Sequence, residues 1–107
     1  MEEYKKVDVE EAMERLHMDR SFIERLMKKF LDSDILEKTE KAFSENNVEE
    51  AKLQIHSIKG TSANVGLIGL HKLALEIEAK IKENEVLDDK LLSLMRSIWN
   101  ELKNASN

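Results

Sequence analysis

The sequence predicts an all-α protein: an antiparallel up-down-up-down four-helix bundle with a short additional N-terminal helix. Three observations favour this class. The 107 residues include no proline and only 3 glycines, so little in the chain interrupts helices or separates strands. Charged residues make up 36% of the chain, and apolar residues recur among them at spacings of three and four. Short polar segments separate these stretches, which places successive helices side by side in opposite directions.

Six helices are predicted in order along the chain. Asp8 and Asn47 are typical N-cap residues, and each is followed three positions later by a glutamate, Glu11 or Glu50, as in a capping box. Asp19 is the predicted cap of the second helix. Together with the apolar periodicity, these caps give helices over residues 9–16, 20–31, 34–44, 48–65, 67–84 and 88–104.

Length and composition limit the organisation of the protein. We expect residues 1–107 to form one domain, with a flexible charged lead-in at 1–7 and a frayed tail at 104–107. The net charge of -5 argues against nucleic-acid binding, and the lack of a long apolar run argues against membrane contact. The absence of cysteine suits a cytoplasmic protein and excludes thiolate metal sites. We expect a monomer without a cofactor or metal.

The fourth helix carries the most informative residues. Its apolar stripe stays in phase across Gly60, which predicts one continuous helix that ends at a Gly66 cap. His56 lies about 100° around the helix from the buried position Ile55, so its imidazole should be exposed. Lys59 and Gly60 share the face of His56 one turn later. The residues of the stripe are Val48, Ala51, Ile55, Ile58, Ser62 and Val65.

Two short segments of this helix resemble a known motif. The letters IHSIKG at residues 55–60 and ANVGL at residues 63–67 are similar to the histidine-containing phosphotransfer (HPt) domain of two-component phosphorelay signalling. In that motif the histidine is followed by Lys at plus three, Gly at plus four, a small residue and a closing Gly. The specific match covers residues 51–78, while the flanks agree only in length and helical pattern.

The resemblance implies a phosphoryl carrier rather than an enzyme. His56 would be the phosphorylated nucleophile, exchanging its phosphoryl group with an aspartate of a response-regulator receiver domain or receiving it from a hybrid histidine kinase. The partner would supply Mg²⁺ and most of the catalytic groups. Lys59 would stabilise the phosphoryl group, while Gly60 and Ala63 would leave clearance for the partner.

Three further residues are candidates for the site. A turn near residues 66–67 folds the fifth helix back along the fourth and brings His56 level with Glu78, and Lys59 level with Leu75. Glu78 also matches, by resemblance, a glutamate that orients the imidazole in chemotaxis-type kinases. Leu53, predicted to face outward, and Lys52, one turn before His56, are expected to contact the partner.

Plainer interpretations remain open at this stage. The chain could be a helical protein-interaction domain whose degenerate motif takes no phosphate. Gly60 could serve close helix packing, and Glu78 could be an ordinary surface carboxylate. His17 and His71 lack a comparable setting and are predicted to be surface residues. A metal site built from His17, His56 and His71 is disfavoured, because no two of them lie one helical turn apart.

Overall fold

The computed structural model describes residues 2–84 and 89–106, and all regular structure within them is helical. The all-α prediction is therefore confirmed. Every predicted helix boundary in these ranges lies within one residue of the observed one, and the predicted start at residue 88 lies outside them. A 3₁₀-helix at Glu2–Lys5 precedes six α-helices: α1 (Val9–Leu16), α2 (Arg20–Asp32), α3 (Ile35–Ser44), α4 (Val48–Asn64), α5 (Ile68–Asn84) and α6 (Asp89–Ala105).

Three of the helices begin at side-chain caps, as predicted. Carboxylate or amide oxygens of Asp8, Asp19 and Asn47 accept hydrogen bonds from the backbone N–H three residues later, at 3.0, 2.9 and 3.2 Å. Such a cap is typically worth about 1 kcal/mol of helix stability. The reciprocal half of the capping box is not formed in α1: the Asp8 N–H donates to the Gly66 carbonyl at 2.8 Å, and the Glu11 carboxylate pairs with Arg15 at 2.9 Å.

Helix α4 is continuous through Gly60 and ends in a Schellman motif. Gly66 adopts φ +84°, a conformation that glycine reaches without strain. The Leu67 N–H donates to the Ser62 carbonyl at 2.9 Å, and the Gly66 N–H donates to the Ala63 carbonyl at 3.4 Å. These bonds satisfy carbonyls that the helix leaves unpaired. The predicted cap at Gly66 is confirmed, and the turn folds α5 back along α4.

The core lies between α4, which packs against α3 and α5, and α6, which packs against α2, α3 and α5. Trp99 anchors the α6 side. Its indole N–H donates to the Leu31 carbonyl at 2.9 Å, and its ring centroid lies 4.9 Å from that of Phe30. Burying each large apolar side chain contributes about 1.5–3 kcal/mol. The largest fully buried side chains are Trp99, Ile23, Leu31, Leu36, Ile55, Ile58, Leu67, Leu70, Leu73, Ile81, Met95 and Ile98.

Residues 2–6, the N-terminal segment, pack against α5 within the stretch 1–7 where we expected a flexible lead-in, and Met1 lies outside the described residues. Tyr4 is only 8% exposed, and its hydroxyl donates to a Glu76 carboxylate oxygen at 2.5 Å. The Gly69 N–H donates to the Lys6 carbonyl at 3.0 Å. A Cβ on Gly69 would lie 2.4 Å from backbone atoms of Glu3 and Tyr4, so only glycine lets the segment approach α5 this closely.

Candidate functional site

His56 lies on the exposed edge of α4, and its side chain is 70% accessible to solvent. Its helix is held in place by Ile55 and Ile58, both fully buried. Because helical neighbours are about 100° apart, burying these two positions turns His56 toward solvent. The predicted exposure of the imidazole is confirmed.

Glu78 on α5 connects His56 with Lys59. One carboxylate oxygen lies 3.4 Å from the His56 Nδ1 atom, and the other accepts a hydrogen bond from the Lys59 ammonium at 2.9 Å. The hairpin register expected from the turn is therefore present. Lys59 was expected level with Leu75, but its long side chain reaches Glu78 instead. An ionised carboxylate only accepts hydrogen bonds, so in the neutral imidazole this contact is a hydrogen bond only for the tautomer that carries hydrogen on Nδ1 and leaves Nε2 unprotonated.

The electrostatic setting keeps Glu78 ionised. The hydrogen bond from Lys59 is the largest cause lowering the pKa of the Glu78 carboxyl below its usual value. Partial burial opposes this shift, and the hydrogen bond from His56 adds to it. The side chains of Lys59 and Glu78 are 23% and 21% exposed, so this ion pair is better shielded than most surface pairs. The site therefore presents an imidazole backed by a fixed negative charge.

The helix surface beyond His56 is open at Gly60. A Cβ placed there meets no atom within 4 Å, so the alternative that Gly60 serves close helix packing is wrong. Ala63, one turn further, is half-buried, and its carbonyl accepts a hydrogen bond from the Arg15 guanidinium at 2.8 Å. Arg15 thereby caps the C-terminal end of α4. Small side chains and an empty surface leave access to the imidazole from this direction.

A shallow groove of about 430 Å³ opens on the other side of His56, toward the N-terminus of α4. Leu53 lies in it and is 58% exposed, which agrees with its predicted outward position. Lys82 was not predicted, although its position four residues after Glu78 places both side chains on one face of α5. The groove is lined by Glu49, Lys52, Leu53, His56, Glu78 and Lys82.

Comparison with protein families identifies the fold that carries this site. A family model described as "Hpt domain" matches residues 8–105, nearly the whole chain. The chain belongs to the Hpt domain family. Searches of curated proteins and of solved structures gave no match.

Membership assigns the chain to phosphorelay signalling, in which Hpt domains act as phosphotransfer carriers and not as enzymes in themselves. Hpt domains interact in general with response-regulator receiver domains and histidine kinases. The HPt resemblance seen in the sequence is therefore confirmed, and it extends from residues 51–78 to residues 8–105. No helix within residues 2–84 and 89–106 combines the length and apolar character needed to cross a bilayer.

The other two histidines of this Hpt domain have structural contacts. His71 on α5 is partly buried, and its Nδ1–H donates to the Lys59 carbonyl at 2.9 Å, so its prediction as a surface residue was wrong. His17 is exposed, as predicted, and ends α1 in a left-handed conformation with φ 56°. Within the described ranges, no three His, Cys, Asp or Glu side chains cluster closely enough to hold a metal ion.

Proposed function

We propose that this Hpt domain reversibly carries a phosphoryl group on the Nε2 atom of His56. The observation that supports this most directly is the contact of 3.4 Å between His56 Nδ1 and Glu78 on an imidazole that is otherwise 70% exposed. This contact engages Nδ1 and leaves the lone pair of Nε2 free to attack from the solvent side. A neutral imidazole nitrogen is a competent nucleophile near neutral pH without a separate base.

The transfer is a single displacement at phosphorus. The Nε2 lone pair of His56 attacks the phosphorus of a receiver phospho-aspartate, an N–P bond forms, and the P–O bond to the aspartate breaks. The aspartate carboxylate leaves with the bonding electrons. The hydrogen on Nδ1 stays in place against Glu78, whose negative charge balances the positive charge that develops on the ring. A second receiver aspartate accepts the phosphoryl group by the reverse displacement, with Mg²⁺ supplied by the receiver.

The neighbouring residues have distinct roles in this proposal. Lys59 is one turn from His56 and supplies positive charge near the phosphoryl group, while its bond to Glu78 holds that carboxylate in position. Gly60 and Ala63 leave room for the partner. Leu53 and Lys52 contact the partner on the groove side of the imidazole. Burying the apolar surface of Leu53 on docking would favour the complex.

We also propose the finer organisation around this site. The chain forms one domain over residues 1–107, and its longer helices run up-down-up-down as an antiparallel four-helix bundle. Two contacts between α4 and α5 support the antiparallel direction. Lys59 contacts His71, whereas His56, earlier on α4, contacts Glu78, later on α5. The domain acts as a monomer in the cytoplasm, where receiver domains and kinase catalytic domains meet.

The test is to mix the purified domain with a phosphorylated receiver, and separately with a small phosphoramidate donor, and to follow intact mass. We expect a gain of one phosphoryl group that is labile in acid and stable in alkali. His56→Gln should abolish the gain, while the matched variant His17→Gln should keep it. No gain from either donor would contradict the proposal and favour an interaction bundle that takes no phosphate.

A further inference from the structure

Two lysines beside His56 are not used by the phosphohistidine motif. Lys52 lies one turn before His56 on α4, and Lys82 lies one turn after Glu78 on α5. Because α4 and α5 run in opposite directions at this point, both lysines are displaced to the same side of the imidazole. They line one groove together with His56, on the side away from Lys59.

The lysines around His56 differ in whether they form an ion pair. Lys59 is bonded to Glu78 at 2.9 Å, so the positive charge that it adds near the phosphoryl group is partly offset. Lys52 and Lys82 form no ion pair within the part of the chain that the structure describes. Besides Glu78, which is already paired, Glu49 is the one carboxylate among the described residues that line the groove.

We propose that Lys52 and Lys82 form the main cationic site for the phosphoryl group once it is bound to His56. This inference rests on the proposed phosphorylation of His56. A phosphoryl group on Nε2 carries up to two negative charges next to the groove, and flexible lysine side chains can turn toward it without disturbing the core. In this arrangement Lys59 mainly holds the Glu78 carboxylate in position. Lys52 from α4 and Lys82 from α5 contact the phosphoryl group.

The size of the effect follows from the charges. A lysine about 6 Å from a phosphoryl oxygen favours the extra negative charge of the dianion by about threefold at low salt. Each lysine should therefore increase the acid dissociation constant of the phosphoryl group about threefold, and the two together about tenfold. The effect should fade at 1 M salt, where the screening length is only about 3 Å.

The experiment is a ³¹P titration of the phosphorylated domain. Wild type, Lys52→Gln, Lys82→Gln and the double variant are phosphorylated with a phosphoramidate, checked by intact mass, and titrated at low and high salt. We expect the midpoint of the phosphoryl titration to rise by about half a pH unit in each single variant and about one unit in the double variant. Lys82→Arg, which keeps the positive charge, should have the same midpoint as the wild type.

Lys80→Gln is the matched control, because Lys80 is exposed on the same helix and does not line the groove. It removes one positive charge from α5 and should leave the midpoint unchanged. If Lys52→Gln and Lys82→Gln titrate like Lys80→Gln, the inference is overturned while the carrier function stands. If wild type takes no phosphoryl group from any donor, both proposals are overturned.

Discussion

The Nδ1 atom of His56 and the Oε2 atom of Glu78 lie 3.4 Å apart on facing helices. This distance is long for a hydrogen bond. The carboxylate is nevertheless kept close to the imidazole, because its other oxygen accepts a hydrogen bond from Lys59. Glu78 is thereby restrained from turning away to solvent. The two contacts favour the tautomer with hydrogen on Nδ1, which is the form that the proposed attack by Nε2 requires.

Replacing Glu78 with alanine should change the tautomer of His56. Losing the acceptor should reduce the ratio of the Nδ1–H to the Nε2–H tautomer about fivefold, which corresponds to a net hydrogen-bond contribution of about 1 kcal/mol. Long-range ¹H–¹⁵N correlation spectra of the neutral imidazole measure this ratio. Glu83→Ala on the same helix is the control, since Glu83 is exposed and lies outside the groove. Equal ratios in the two variants would contradict the orienting role of Glu78.

Replacing Gly60 with alanine should raise the stability of the fold and slow phosphoryl transfer. The added methyl group meets nothing within 4 Å, and alanine favours a helix interior over glycine by about 1 kcal/mol, so the free energy of unfolding should rise by that amount. If Gly60 provides clearance as proposed, phosphoryl transfer from a receiver should nevertheless become slower, because the methyl group would occupy space that the partner enters. Urea unfolding and single-turnover transfer measure the two effects.

Ser93→Ala serves as the comparison for Gly60→Ala. Ser93 is exposed in the second turn of α6, so alanine there should add a few tenths of a kcal/mol of stability through helix propensity and leave transfer unchanged. A Gly60→Ala variant that is more stable and transfers at the wild-type rate would refute the clearance role.

Local patterns in the sequence were sufficient for the helices and for the neighbours of His56. The apolar stripe of α4 determined that His56 is exposed, because burial of Ile55 and Ile58 leaves no other orientation for it. The short turn at Gly66 determined that α5 returns along α4, which placed Glu78 near His56. Both inferences need only helix geometry and one turn.

Contacts between distant segments were not predictable in this way. Nothing near Tyr4 in the chain indicates that it packs beside Gly69, because the 3₁₀-helix is too short to show a periodic pattern. The bond between His71 and the Lys59 carbonyl depends on the rotation of α5 about its axis, which spacing alone does not fix to within a side chain. Lys59 could have faced solvent or Glu78, and only the packed structure distinguishes them.

Replacing Gly69 with alanine should have the opposite effect on stability from the change at Gly60. The new Cβ would lie 2.4 Å from the backbone of the N-terminal segment, so either that segment or α5 must move. We expect a loss of about 1–3 kcal/mol in the free energy of unfolding, as for other overpacked sites. Fluorescence of the single, buried Trp99 during urea unfolding measures the loss. An unchanged unfolding midpoint would show that the segment does not contribute to stability.

The single tyrosine of the chain should titrate at unusually high pH. The hydrogen bond from the Tyr4 hydroxyl to Glu76 is the largest cause that raises the pKa of Tyr4 to about 12, with burial adding to it. The folded state thus favours the neutral phenol. The resulting stabilisation is complete below the unfolded pKa of about 10 and is lost as the pH rises through the folded value.

Tyrosinate absorbance at 295 nm, recorded together with helical circular dichroism, tests this directly. We expect the absorbance of the folded wild-type protein to rise near pH 12 or together with alkaline unfolding, whichever comes first. Glu76→Gln removes the charged acceptor and should move the midpoint down toward 10, whereas Glu83→Gln should not. A wild-type midpoint near 10 with helicity intact would mean that Tyr4 is exposed in solution, and that the N-terminal segment does not remain packed on α5.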